Sequence, residues 1–157
     1  MEKLKFLIGY LLYDYSMSLH SPHEFYQVYK ENPGLGRREA FKIGQRMGMS
    51  IRERENIQGE DLENLSELLD GALRDVYGEY TTNIEKDKLI LSNTGSCAIM
   101  RSALNHNIPW KWVDEHFAWP LLEGLSSIIR PDVELSIPSA RCRGDKECIH
   151  VFKLKKE

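Results

Sequence analysis

Apolar residues recur at helical spacing over residues 2–76 and again over 96–129, while strict alternation is confined to two pairs of short segments. That distribution predicts an α+β fold: four helical segments, a hairpin, two further helices and a closing hairpin. Size agrees, since 157 residues with 41% apolar content can bury a core of their own. No internal repeat, low-complexity tract or linker interrupts the sequence, so residues 1–157 read as a single domain.

Residues 2–19 form the first predicted helix, with Leu4, Leu7, Ile8, Leu11, Leu12 and Tyr15 on one broad face. This face is more apolar than a one-sided surface helix requires, and Tyr10, Tyr13 and Tyr15 suit an interface. A homodimer built on the N-terminal helices is therefore expected. Ser21-Pro22 supplies an N-cap and a proline at the first helical position, opening a short helix through Lys30. Asn32-Pro33-Gly34 reads as a break. Helical spacing resumes over Arg37–Arg54 through Phe41, Gly44, Met47, Gly48 and Ile51. Gly44 and Gly48 lie four apart, on one face where a second backbone can approach.

Leu62, Leu65, Leu68, Leu69, Leu73 and Val76 make the clearest amphipathic helix, with Gly78 as its stop. Tyr80–Ile84 and Lys88–Leu91 alternate on either side of Glu85-Lys86-Asp87 and read as a hairpin. Ser96 is placed to cap a helix through His106, which Asn107 and Pro109 end. The next helix, Trp110 to about Ile129, carries Trp112, Phe117, Trp119 and Leu122. Pro120 cannot donate to its ladder, so a break is expected near His116. Val133, Leu135 and Ile137 alternate as a strand, and Ile149–Leu154 is its antiparallel partner.

A net charge of -3 and a pI near 6.0 argue against a direct nucleic-acid partner. No stretch is long and apolar enough to span a membrane; Phe6–Leu12 is bounded by Lys3, Lys5 and Asp14. Nothing after it reads as a cleavage site. Three cysteines without a secretory signal point to a reducing, cytoplasmic location, where paired cysteines bind metal more often than each other. There is no G-x-G-x-x-G, Walker loop or H-E-x-x-H.

The stretch richest in chemistry is Arg141–Phe152. Gly144-Asp145 bends the backbone between Cys142 and Cys148, turning two thiols to one side of a short loop. Two thiolates are half of a tetrahedral zinc site, so zinc is the expected cofactor, though C-x5-C is longer than the spacing of zinc ribbons. His116 and Cys97 are the natural completing ligands. Cys97 also reads as a core thiol or as one acidified by a helix N-terminus. His150 points away from the face of Ile149 and Val151 and is the weaker ligand candidate. His20, His23 and His106 read as surface residues. Trp112, Phe117 and Trp119, with Leu69, Gly44 and Gly48, read either as core and interface or as the lining of an apolar ligand pocket. That pocket is expected between the Leu62–Val76 helix, the central hairpin and the tryptophan-bearing helix.

The tail C-R-G-D-K-E-C-I-H-V-F resembles the closing motif of the 4-vinyl reductase domain family. Lys42-Ile43-Gly44-Gln45-Arg46-Met47-Gly48 is similar to that family's early glycine-spaced helix. Val76-Tyr77-Gly78-Glu79 resembles its glycine before the first strands, and His116–Gly124 its metal-binding segment, with histidine standing where some members have cysteine. The likeness falls within residues 37–154, so 1–35 would be added N-terminal helices and 36–157 the family-like part. It implies helices packed on an antiparallel sheet around an apolar pocket, the fold shared by haem nitric-oxide sensors and TRAPP subunits. It also implies a small hydrophobic ligand, common dimerisation, and zinc on Cys142, Cys148 and His116. Cys97, His116 and the Gly144–Cys148 end are similar as well to 2-aminothiazoline-4-carboxylate hydrolases. The first expectation is thus a cytoplasmic, zinc-containing sensory or regulatory domain for an apolar ligand. The alternatives are a metal- or cysteine-dependent hydrolase of a small cyclic amide-like substrate, and a subunit of a larger assembly.

Overall fold

The computed structural model describes residues 21–74 and 79–155. The first predicted helix, the dimer face placed on it, His20 and the helix end at Val76–Gly78 lie outside them. Helix α1 (Pro22–Tyr29) starts as its sequence dictates: Ser21 Oγ accepts the Glu24 N–H at 3.3 Å, and Pro22 sits where no donor is needed. Helix α2 (Pro33–Arg54) begins four residues before the predicted Arg37. Asn32-Pro33 is a helix start and no break: Asn32 Oδ1 accepts the Leu35 N–H at 3.2 Å. Helix α3 (Leu62–Leu73) opens on a capping box, the Asp61 carboxylate taking the Asn64 N–H while the Asn64 side chain accepts the Asp61 N–H.

Helix α4 (Ala98–Asn105) starts at Cys97, one residue past the expected cap, because the Ser96 hydroxyl is engaged by the Arg101 guanidinium. The interruption anticipated near His116 has a defined form. Helix α5 (Trp110–Val113) runs into a π turn (Asp114–Ala118) and then into helix α6 (Trp119–Ser126), with the Trp119 N–H bonded five residues back to the Asp114 carbonyl. A wide turn here accommodates Pro120, which has no N–H for a regular ladder.

Strands β1 (Thr81–Glu85), β2 (Lys88–Asn93), β3 (Val133–Ser139) and β4 (Cys148–Leu154) form one antiparallel sheet in the order β1-β2-β4-β3. Both predicted hairpins are present, and they join through β2 and β4, with Leu91 opposite His150 and Asn93 opposite Cys148. Leu89, Leu91, Asn93, His150 and Phe152 are buried on the same face. The class is α+β with helices on an antiparallel sheet.

Two apolar clusters hold these layers together. One joins α3 and α6 to the sheet through Leu65, Leu68, Leu69, Leu89, Leu125 and Phe152. The other joins α1, α2, α4 and the π turn through Phe25, Ala40, Ile43, Ala103, Val113 and Phe117. Each fully buried leucine contributes about 1.5–3 kcal/mol. Helix α2 lends Ile51 to the first and Ile43 to the second, and its main packing partner is α6.

Candidate functional site

The loop between β3 and β4 is built as a clamp on its own cysteines. Arg141–Arg143 makes one 3-10 turn, and Gly144 follows at φ 95°, a conformation that glycine tolerates. Asp145 Oδ2 accepts the Ala140 N–H at 2.8 Å, and the Arg141 N–H donates to Cys148 Sγ at 3.3 Å. Two arginines tie the loop outward. Arg141 donates to the Gly95 carbonyl at 2.5 Å, and Arg143 lies over the Trp119 ring at 5.6 Å. The first contact draws in the segment leading to Cys97, and the second reaches the start of α6.

Asp114, the first residue of the π turn, completes the group. It is buried, with the Cys142 thiol and the Trp110 indole N–H close enough to favour its charged form. Burial pushes the Asp114 carboxyl up to about 6, against the pull of the Cys142 thiol. Burial also raises all three thiols, and the Asp114 charge adds to the shift of each. For Cys97 this outweighs the Ile99 and Met100 N–H groups facing its sulfur, so the helix start does not make it acidic. Asp114 thus lies within electrostatic reach of Cys97, Cys142 and Cys148, and its charge hinders ionisation of all three thiols, with Cys148 adding to the shift of the other two. A cation would reverse that balance, and thiols with a carboxylate suit zinc. Among the described residues the side chains are not drawn into a closed set of three donors, so an ion would have to gather them.

His116 keeps other company. Its Nδ1 is 2.9 Å from the Trp112 carbonyl, and its ring stacks on Trp112 at 4.8 Å. Trp112 meets Tyr26 edge-on at 5.0 Å, within the aromatic seam between α1 and α5. Of the histidines read as surface residues, His106 is exposed and His23 half-buried, and their rings stack at 4.3 Å across the α1–α4 junction. Sequence reasoning missed Asp114. Its signal was the expected break itself, since a π turn shifts which side chain faces a neighbouring loop.

Behind this group lies an apolar cavity of about 400 Å³. Its walls come from α2 (Ile43, Met47), α3 (Ala72, Leu73), α4 (Ala98, Ile99), the π turn with Phe117, and α6 (Leu121, Leu125), with the start of α1 at one edge. Among the described residues, Ser21 and Ser102 are the polar members of the lining, with no charged side chain and no thiol beside them. Of the sequence-predicted lining, Phe117 is here and Leu69 belongs to the core beneath. The central hairpin contributes nothing; α2 and α4 stand in its place. Gly44 and Gly48 face α6, where a Cβ on Gly44 would fall inside contact distance of the Leu121 carbonyl and one on Gly48 would lie 3.1 Å from that of Leu125.

No protein-family model matches the chain, and no curated protein matches it. Among solved structures it is similar to a trafficking protein particle complex subunit 3 from Naegleria fowleri, covalently bound to palmitic acid. The TM-score is 0.55 at 10% identity, over 99% of this chain and 95% of that one. A likeness at this identity carries the fold, helices on an antiparallel sheet, and no more. No helix of the described residues is long and apolar enough to cross a membrane.

Proposed function

We propose that this chain is a subunit of a larger assembly and that its cavity holds a small hydrophobic molecule within it. The observation that carries the first half is the fold likeness, which runs along nearly the whole of both chains to a protein that is itself a complex subunit. Surface chemistry supports it: Val28 on α1 and Leu104 on α4, helices that pack together, are 68% and 66% exposed. The test is size. The tagged chain, isolated from its own cells under native conditions, should elute far above 18.2 kDa with other chains in fixed stoichiometry. A monomer would sink the reading, and a pair of identical chains would replace it with the homodimer.

The cavity favours the second half. At about 400 Å³ it falls within the range of ligand pockets, about 300–1,000 Å³, and its two serines are the sparse polar groups such sites carry. The neighbour holds its palmitic acid covalently. No thiol lines this cavity, so an acyl chain or similar aliphatic molecule would be held here without a bond. Solvent extraction of the purified chain, followed by mass spectrometry, should release one such molecule per chain, and an empty extract counts against the idea.

Zinc at Cys97, Cys142 and Cys148 belongs to the same reading, as a staple between the β3–β4 loop and the π turn. Its support is the convergence of three thiols and Asp114, which also keeps the 4-vinyl reductase likeness in play. Protonated thiols are poor nucleophiles, so this cluster argues for metal holding over cysteine hydrolysis. Protein purified without chelator should carry one zinc per chain, and Cys148→Ser should lose it and melt lower while remaining folded. A metal-free chain whose thiols alkylate freely in the native state would end this part of the proposal.

A further inference from the structure

The cavity lies where the two apolar clusters meet, and its sides differ. Leu73, Leu122 and Leu125 on one side belong to the cluster that packs on the sheet. On the other, α1 and α4 supply Ser21, Pro22 and Ser102, so both polar members of the lining come from one pair of helices. Two stacked rings join those helices there. His106 Nδ1 is 2.9 Å from the Ser102 carbonyl, one turn back on α4. Its ring stacks at 4.3 Å on that of His23, two residues past Ser21.

This side of the cavity is rich in donors and poor in acceptors. Ser21 Oγ accepts the Glu24 N–H, but among the described residues its own proton has no acceptor, and neither has that of Ser102. The His23 N–H is one of the first-turn donors that a helix leaves unpaired. His23 Nδ1, a donor in one tautomer, is buried without a partner. The start of α1 adds a partial positive charge. Glu24, the acidic residue of that turn, is exposed, so water screens its opposition. A plain hydrocarbon would leave these donors dry and unpaired, which is costly. A carboxylate accepts from hydroxyls and helix N–H groups together.

We infer that the cavity takes a long-chain aliphatic carboxylate, its head between Ser21 and Ser102 and its tail running toward Leu73 and Leu125. The inference rests on the cavity reading above and adds the head group and the direction.

The test titrates the full chain, stripped of bound lipid, with lauric acid, lauryl alcohol and methyl laurate. The acid should bind about tenfold more tightly than the alcohol or the ester, since hydrogen bonds to a charged group are the stronger. Ser102→Ala should weaken the acid about fivefold or more and leave the ester within about twofold. In the wild-type complex, proton–proton contacts seen by NMR should join the methylene beside the carboxylate to Ser102 and Pro22, and the terminal methyl to Leu73 and Leu125. That readout does not depend on how the variant folds. A chain that takes up none of the three overturns both this inference and the cavity reading. Equal affinity for acid and ester, or a terminal methyl lodged beside Ser102, overturns this inference alone and leaves the cavity reading standing.

Discussion

Helix α2 has two faces that treat their neighbours in opposite ways. Toward α6 it presents Gly44, whose missing Cβ lets the backbones meet, and α6 answers with Gly124 against the Phe41 carbonyl. About a quarter turn away, Ile43 and Met47 are large apolar side chains, yet the space they face is left open as the cavity. Interiors pack closely wherever side chains can interdigitate. The glycine face therefore fixes where α2 and α6 sit, and α4 and the π turn, held off by that placement, cannot collapse onto Met47.

The contrast is easiest to break at the crossing. Gly44→Ala or Gly124→Ala adds one carbon where only backbone stands, so the helices themselves must part. Overpacked cores lose about 1–3 kcal/mol when side chains can yield, and here they cannot. Either substitution should cost at least about 3 kcal/mol, read as a drop in the midpoint of urea unfolding. Variants as stable as the wild type would mean that the crossing is looser than the glycines suggest.

Across the helix the same chemistry should do little. Ala72→Leu adds three carbons, but Ala72 lines the cavity. Stability should change by less than about 1 kcal/mol in either direction, because the added atoms enter existing space. Uptake of a fluorescent fatty alcohol should fall sharply. Loss of several kcal/mol would show that the space is not available to a ligand either.

How much of this could be read from the sequence divides along the same line. Features written in local chemistry were legible: Ser21-Pro22 as a helix start, the β1–β2 hairpin around Lys86, the Gly144-Asp145 bend and the interruption ahead of Pro120. The α2 start was misplaced because Asn-Pro serves equally as break and cap, and only the Leu35 N–H decides between them. The cysteines were visible as ligand types, but their companions depend on how the chain folds back. A π turn swings Asp114 to the loop while His116 keeps to its own helix carbonyl. Gly44 and Gly48 were read for close approach; that the approach is to α6, and the cavity lies beyond it, required the three-dimensional path.

The smallest effect lies at the outer edge of the crossing, where Glu123 sits next to Gly124 and faces Arg37 across the groove. Burial raises the Glu123 carboxyl, with the Arg37 charge opposing. A carboxyl raised on folding means that the native state holds its proton to higher pH than the unfolded chain. Between the two values native molecules bind more protons, so this group's contribution to stability falls as pH rises from its unfolded value through its folded one. Glu123→Gln removes that dependence. The variant should match the wild type at pH 4 and exceed it at pH 7 by no more than about 0.5 kcal/mol, since Glu123 keeps contact with water. If the variant is instead the less stable at pH 7, the Arg37 pairing outweighs the burial. The crossing would then be held at its rim by charge as well as at its centre by the absence of two side chains.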